Sequence, residues 1–228
     1  MLFFAPGTLL KMANVFLFVP NIIGYIRIVL VITACYHMQS DYVTAIVCYA
    51  LGVALDEIDG YAARYLNQGT RFGELLDLIT DCCSNMCISM GLAVLYPDYA
   101  LLFQFYSTVT IAGHWMHTQR MGWIHHKLVS SKDNWILYYY YNSSCSGVMF
   151  ALVYGNEGFF CTLYLLYHTE GPKIGYDVGF FRILLYVCLP LMLIKTFISC
   201  IHLIVGRKVM LQSEESNCLQ LDRQQKLK

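Results

Sequence analysis

From Pro20 to Val205 the chain is almost continuously apolar, interrupted by a few short polar connections. Apolar runs cover 20–38, 41–65 and 73–96. A fourth follows the Pro97-Asp98 turn to His117, and two more cover 135–168 and 179–205. A stretch of roughly 20 such residues crosses a bilayer as a helix, and in lipid a lone segment satisfies its backbone polar groups only as a helix. The fifth run is about 50 Å long as a helix, too long for one crossing. Its aromatic start at 138–141 is therefore expected at the interface, with the span beginning near Ser143. Charged residues make up 13% of the chain, against about 25% in water-soluble domains, which excludes a soluble fold. Lys+Arg and Asp+Glu balance at 15 each, with no basic stripe of the kind that binds nucleic acid. The fold class is all-α: a polytopic membrane protein with a six-transmembrane-helix bundle, preceded by an interfacial segment at Val15–Val19. Residues 1–12 read as an extension, with Met12 an alternative start. Residues 13–210 form one membrane domain, and 211–228 a polar cytosolic tail.

Six crossings place both termini on one side of the membrane. Eleven Lys and Arg fall on that side and only Lys173 on the other, with Arg27, Arg182 and Lys195 inside runs. The positive-inside bias puts the termini and the 65–72 and 118–134 connections in the cytosol. The ten cysteines show no CxxC or Cys/His cluster, so they read as small apolar packing residues. The Asn142-Ser143-Ser144 sequon adjoins an apolar run and reads as unused.

Six of the fifteen acidic residues lie between 56 and 81, on or beside the second and third runs: Asp56, Glu57, Asp59, Glu74, Asp77 and Asp81. Each acid facing lipid at mid-span costs about 2.5–3.5 kcal/mol, so they must line a wet cavity, pair, or bind cations. Asp56 and Asp59 are three apart and Asp77 and Asp81 four apart, so each pair shares a helix face. Gly52, Asp56, Gly60 and Ala63 form one small-and-acidic stripe, and Gly73, Asp77, Asp81 and Asn85 another. Such stripes let membrane helices approach closely, and the short 66–72 connection makes these two antiparallel neighbours. Converging carboxylates repel unless neutralised, and Arg64 alone is insufficient. Hard oxygen donors suit Mg2+ or Mn2+, and a two-metal site is a clamp for phosphoryl transfer. Metal-assisted phosphate chemistry, cation-coupled transport and structural charge pairing all remain open on spacing alone. His114 and His117 are three apart but lack a third ligand, so they read as packing or acceptor contacts rather than a metal site.

Asp56-Glu-Ile-Asp59-Gly60-Tyr-Ala-Ala63-Arg64, eight residues, then Gly73-Glu-Leu-Leu-Asp77-Leu-Ile-Thr-Asp81 fits the pattern DxxDGxxARx8GxxxDxxxD. This resembles the CDP-alcohol phosphatidyltransferase family. The segments at 16–29, 65–73, 114–117, 154–168 and 179–206 are similar to its eukaryotic inositol-using members. The resemblance implies a six-helix membrane bundle with a polar cavity open to the cytosol. It implies CDP-diacylglycerol and myo-inositol as substrates, with phosphatidylinositol and CMP as products. Asp56, Asp59, Asp77 and Asp81 would hold a Mg2+ or Mn2+ pair, Asp81 also serving as general base. Gly60, Arg64 and Thr70 would contact CDP-diacylglycerol. It further implies an endoplasmic reticulum membrane and a homodimer formed through the third and fourth helices; Gln-Lys-Leu-Lys at 225–228 is similar to a retrieval signal. Three positions and one segment depart from the pattern of the inositol users. Cys82 stands where a basic residue follows the last Asp, Thr110 replaces an Asp and Gly113 a Ser, and 137–147 lacks an Arg.

Overall fold

The computed structural model describes residues 14–123, 146–174 and 178–226. Six long helices occur among them: α1 (Val19–His37), α2 (Tyr42–Tyr65), α3 (Arg71–Leu95), α4 (Ala100–Trp123), α5 (Ser146–His168) and α6 (Phe180–Lys226). A 3-10 turn at Pro97–Tyr99 joins α3 to α4, and two short strands, β1 (Lys173–Ile174) and β2 (Val178–Gly179), pair antiparallel before α6. The helices follow the apolar runs closely. The last departs from expectation: the polar stretch after residue 210 continues α6 as helix to Lys226. Its Lys, Leu, Gln, Glu and Arg content has high helix propensity. The expectations for residues 1–12, the sequon, the aromatic stretch 138–141 and the connection beyond Trp123 lie outside the described residues.

Among the described residues, four helical segments are long and apolar enough to cross a bilayer: Val19–His37, Arg71–Leu95, Gly147–His168 and Phe180–Lys208. The protein is thus all-α and multi-pass. α2 has the length of a span, but Asp56, Glu57, Asp59 and Arg64 lower its apolar character. Large apolar side chains such as Val29, Ile32, Leu101, Leu102 and Val187 are more than half exposed, a pattern suited to hydrocarbon and not to water.

The chain forms two compact units, divided after Ala100. In the first, local capping sets the helix ends. Asp41 accepts hydrogen bonds from the backbone N–H groups of Val43 (3.1 Å) and Thr44 (3.3 Å), starting α2. At its far end Asn67 adopts the left-handed conformation (φ 53°). Gln68 N–H donates to Ala63 C=O and Asn67 N–H to Arg64 C=O, the paired closure of a helix C-terminus. Gln68 Oε1 then accepts from Val19 N–H at 3.0 Å, and Thr70 Oγ1 from Gly73 N–H at 3.1 Å. One five-residue connection thereby organises the ends of three helices.

α1 packs along α2 and also against α3, so the acid-bearing helices meet largely through α1. The expected direct approach of their small-residue stripes does not describe the packing. A Cβ at Gly52 would meet open space, whereas one at Gly73 would lie 2.9 Å from Asn21 Oδ1 of α1. Small size is needed where α1 crosses α3. Cys35 of α1 and Cys87 of α3 form a disulfide. This corrects the reading of every cysteine as a packing residue; two thiols 52 positions apart carry no local sequence signal of pairing.

In the second unit α5 packs on α6. Leu152, Ile198, Ile201 and Val205 form a buried apolar cluster. Tyr106 and Asn156, both buried, bond each other at 2.7 and 3.1 Å, and Asn156 Nδ2 donates to Glu157 at 3.3 Å. Gly113 admits close packing, since a Cβ there would lie 3.0 Å from Ser199 C=O. Its departure from Ser therefore serves the contact of α4 with α6.

Candidate active site

The site forms in the first unit. Helical spacing aims Asp56 and Asp59 from one face of α2, and Asp77 from α3. Each offers a carboxylate oxygen, and these atoms lie within 4.8 Å of one another. Between them enters Arg27 from α1. Its Nη2 pairs with Asp56 Oδ1 (2.5 Å) and Asp81 Oδ1 (2.6 Å), and its Nη1 with Asp59 Oδ2 (2.9 Å) and Asp77 Oδ1 (2.7 Å). All four acids of the motif thus converge on one guanidinium. The planar fork suits this role, because it presents fixed donors to several carboxylates at once.

The sequence placed the acids correctly but left their neutralisation to metals, with Arg64 insufficient. Arg64 is exposed at the end of α2, and the protein's own counter-charge comes from Arg27. One signal for this was present: an Arg inside an apolar run needs an acidic partner. Which acids it would meet depended on how α1 packs.

A cavity of about 650 Å³ adjoins the cluster. Asp59 and Asp77 form part of its wall, together with Gly60, Arg64 and Thr70. The three residues expected to contact the nucleotide lipid therefore share one cavity with two of the expected metal ligands. Asp56 and Asp81 join through Arg27 and do not line it. The N-terminus of α3, capped by Thr70, opens onto the same space, where the helix dipole favours an anion. Asn21 was not foreseen: it lines the cavity, is 1% exposed, and its Oδ1 has no hydrogen-bond partner among the described residues. His114 Nδ1 lies 2.8 Å from Thr110 C=O on its own helix, in keeping with a packing role. The side chain of His117 lies outside the described residues.

The arrangement defines a class. A family model for CDP-alcohol phosphatidyltransferase matches residues 17–206, most of the chain, and the chain belongs to that family. Its relatives include the human protein named CDP-diacylglycerol–inositol 3-phosphatidyltransferase, 46% identical over 200 residues, covering 86% of this chain and 92% of that one. The Drosophila melanogaster protein of the same name is 39% identical over 202 residues, covering 87% of each chain. That of Schizosaccharomyces pombe is 36% identical over 212 residues, covering 85% of this chain and 89% of its own. No solved structure matches the chain.

Proposed function

We propose that this protein transfers the phosphatidyl group of CDP-diacylglycerol to myo-inositol, releasing CMP and forming phosphatidylinositol. The observation that carries this reading is the convergence of the acids beside a cavity lined by Gly60, Arg64 and Thr70. A cavity of this volume falls in the range that encloses a nucleotide-sized ligand. Gly60 leaves the α2 backbone open to a close ligand, Arg64 can fork onto phosphate oxygens, and the start of α3 favours the diphosphate. The lipid tails remain in the bilayer while the headgroup enters the cavity.

In the reaction an inositol hydroxyl oxygen forms a bond to the phosphorus nearest the diacylglycerol. The bond from that phosphorus to the bridging oxygen breaks, and CMP leaves with the electron pair. The hydroxyl proton passes to Asp81, whose carboxylate serves as general base. Four carboxyl groups outnumber one guanidinium, and the donors are all hard oxygens, a set that fits Mg2+ or Mn2+. Asp56, Asp59, Asp77 and Asp81 would hold the metals. When bound, they would neutralise charge on the diphosphate and on the departing CMP phosphate. The positive-inside bias and the family resemblance support six spans in the endoplasmic reticulum membrane, with the cavity facing the cytosol.

The test is an acceptor panel. Membranes containing the protein, given CDP-diacylglycerol and Mn2+ or Mg2+, are expected to convert labelled myo-inositol into lipid with equimolar CMP, and to stop when the metal is chelated. Incorporation of serine or glycerol phosphate with none of inositol would refute the acceptor. Absence of CMP release with every alcohol would refute the reaction.

A further inference from the structure

We infer that Arg27 is a positioning residue for the metal ligands: it holds one oxygen of each of the four carboxylates and so fixes how they are presented to an incoming cation. The inference rests on the proposed metal-dependent reaction and extends it to a residue outside the DxxDGxxARx8GxxxDxxxD pattern.

The geometry supports it in two ways. First, Arg27 touches a single named oxygen on each acid: Asp56 Oδ1, Asp59 Oδ2, Asp77 Oδ1 and Asp81 Oδ1. Two nitrogens divide the four acids, and each nitrogen bridges α2 to α3. A point charge cannot set four orientations at once, and a planar fork can. Second, exposure is graded across the cluster. The Arg27 side chain is 3% accessible and that of Asp59 11%, while those of Asp56, Asp77 and Asp81 are 32%, 46% and 34%. Arg27 is absent from the cavity wall that Asp59 and Asp77 help form. A cation arriving from outside therefore meets carboxylate before it meets guanidinium. Partners that orient ligand groups in this manner typically contribute 10–100-fold to metal affinity.

Charge and geometry pull in opposite directions here, which makes the idea testable. If Arg27 were only a competing cation, weakening its grip would tighten metal binding. Arg27→Lys keeps the charge and removes the fork. The full-length protein in detergent, titrated with Mn2+ and followed by the spin resonance signal of the free ion, is expected to bind Mn2+ about tenfold or more weakly in this variant. A merely structural Arg27 would lower the melting temperature and leave the Mn2+ affinity of the folded protein unchanged. Unchanged or tighter binding by Arg27→Lys overturns the inference. Should the Lys variant not fold, Arg27→Gln is read in the same way: loss of a positive charge favours the cation electrostatically, so weaker Mn2+ binding supports positioning and equal or tighter binding overturns it. Asp77→Asn separates the two layers. If it too binds Mn2+ like the unaltered protein, the acids are not the metal site and the proposed function fails with the inference. If Asp77→Asn loses Mn2+ and Arg27→Lys does not, only the inference fails.

Discussion

The two compact units bury polar groups by opposite means. The first gathers four carboxylates around one guanidinium beside a cavity. The second buries mainly uncharged groups, Tyr106, Thr110, Asn156, Thr162 and Ser199, with His202 beside them and Glu157 bonded to Asn156, in an interior joined by the apolar cluster of α5 and α6. Removing ions from water costs several kcal/mol each even when they are paired, whereas a satisfied neutral hydrogen bond contributes about 1 kcal/mol. A fold with no use for charge would build both units in the second manner. The difference accords with the proposed function, which places the metal and nucleotide chemistry in the first unit.

The largest expected effect tests that difference directly. Asp81→Asn should lower CMP release by about 10²–10⁴-fold, the usual contribution of a positioned base, with the protein still folded by thermal unfolding. Tyr106→Phe, in the second unit, should leave turnover intact and cost about 1 kcal/mol of stability. Equal loss of turnover in both variants would dissolve the contrast. Next in size is the bridge between α1 and α3. Cys35→Ser should destabilise the first unit by about 2–4 kcal/mol, the usual range for a bridge closing a long loop. Alkylation of the unreduced, denatured protein should leave both Cys35 and Cys87 unlabelled. Labelling of either would show that the first unit is held by packing alone.

Gly155→Ala probes the second unit. A Cβ there would clash with Leu191 at its Cβ as well as its side-chain tip, so the α5–α6 crossing must widen. Overpacking of this kind costs about 1–3 kcal/mol; the melting temperature should fall while KM for CDP-diacylglycerol stays unchanged. The smallest effect belongs to Asp41. Hydrogen bonds from the Thr44 hydroxyl and from the Thr44 and Val43 backbone hold its carboxyl below the ordinary carboxylate range. Its stabilisation is fully present above that ordinary value and is lost as pH falls through the lowered one. Asp41→Ala should flatten the acid limb of a plot of melting temperature against pH. An unaltered acid limb would mean that the α2 cap contributes nothing.

The helices were legible because their signals are local. Apolar length marks α1, α3, α5 and α6, and the turn at Pro97-Asp98 stands where it was read. The acids were legible because three- and four-residue spacing fixes a shared helix face before any packing is known. Gly60, Arg64 and Thr70 fell beside one cavity for a related reason: they flank a connection too short to carry them apart. The roles of Gly113 and of the cysteines were not legible, since both depend on what stands opposite.

Sequence alone therefore determined the helical class, the membrane setting and which carboxylates point together, all consequences of periodicity within one segment. Tertiary structure decided that α1 lies against both acid-bearing helices, that Arg27 reaches acids 32, 50 and 54 positions away, and that Cys35 meets Cys87. Helices with apolar residues all round offer many nearly equivalent faces to one another, and no local pattern selects among them. The choice is made by a few buried charges whose partners become known only when the chain is folded.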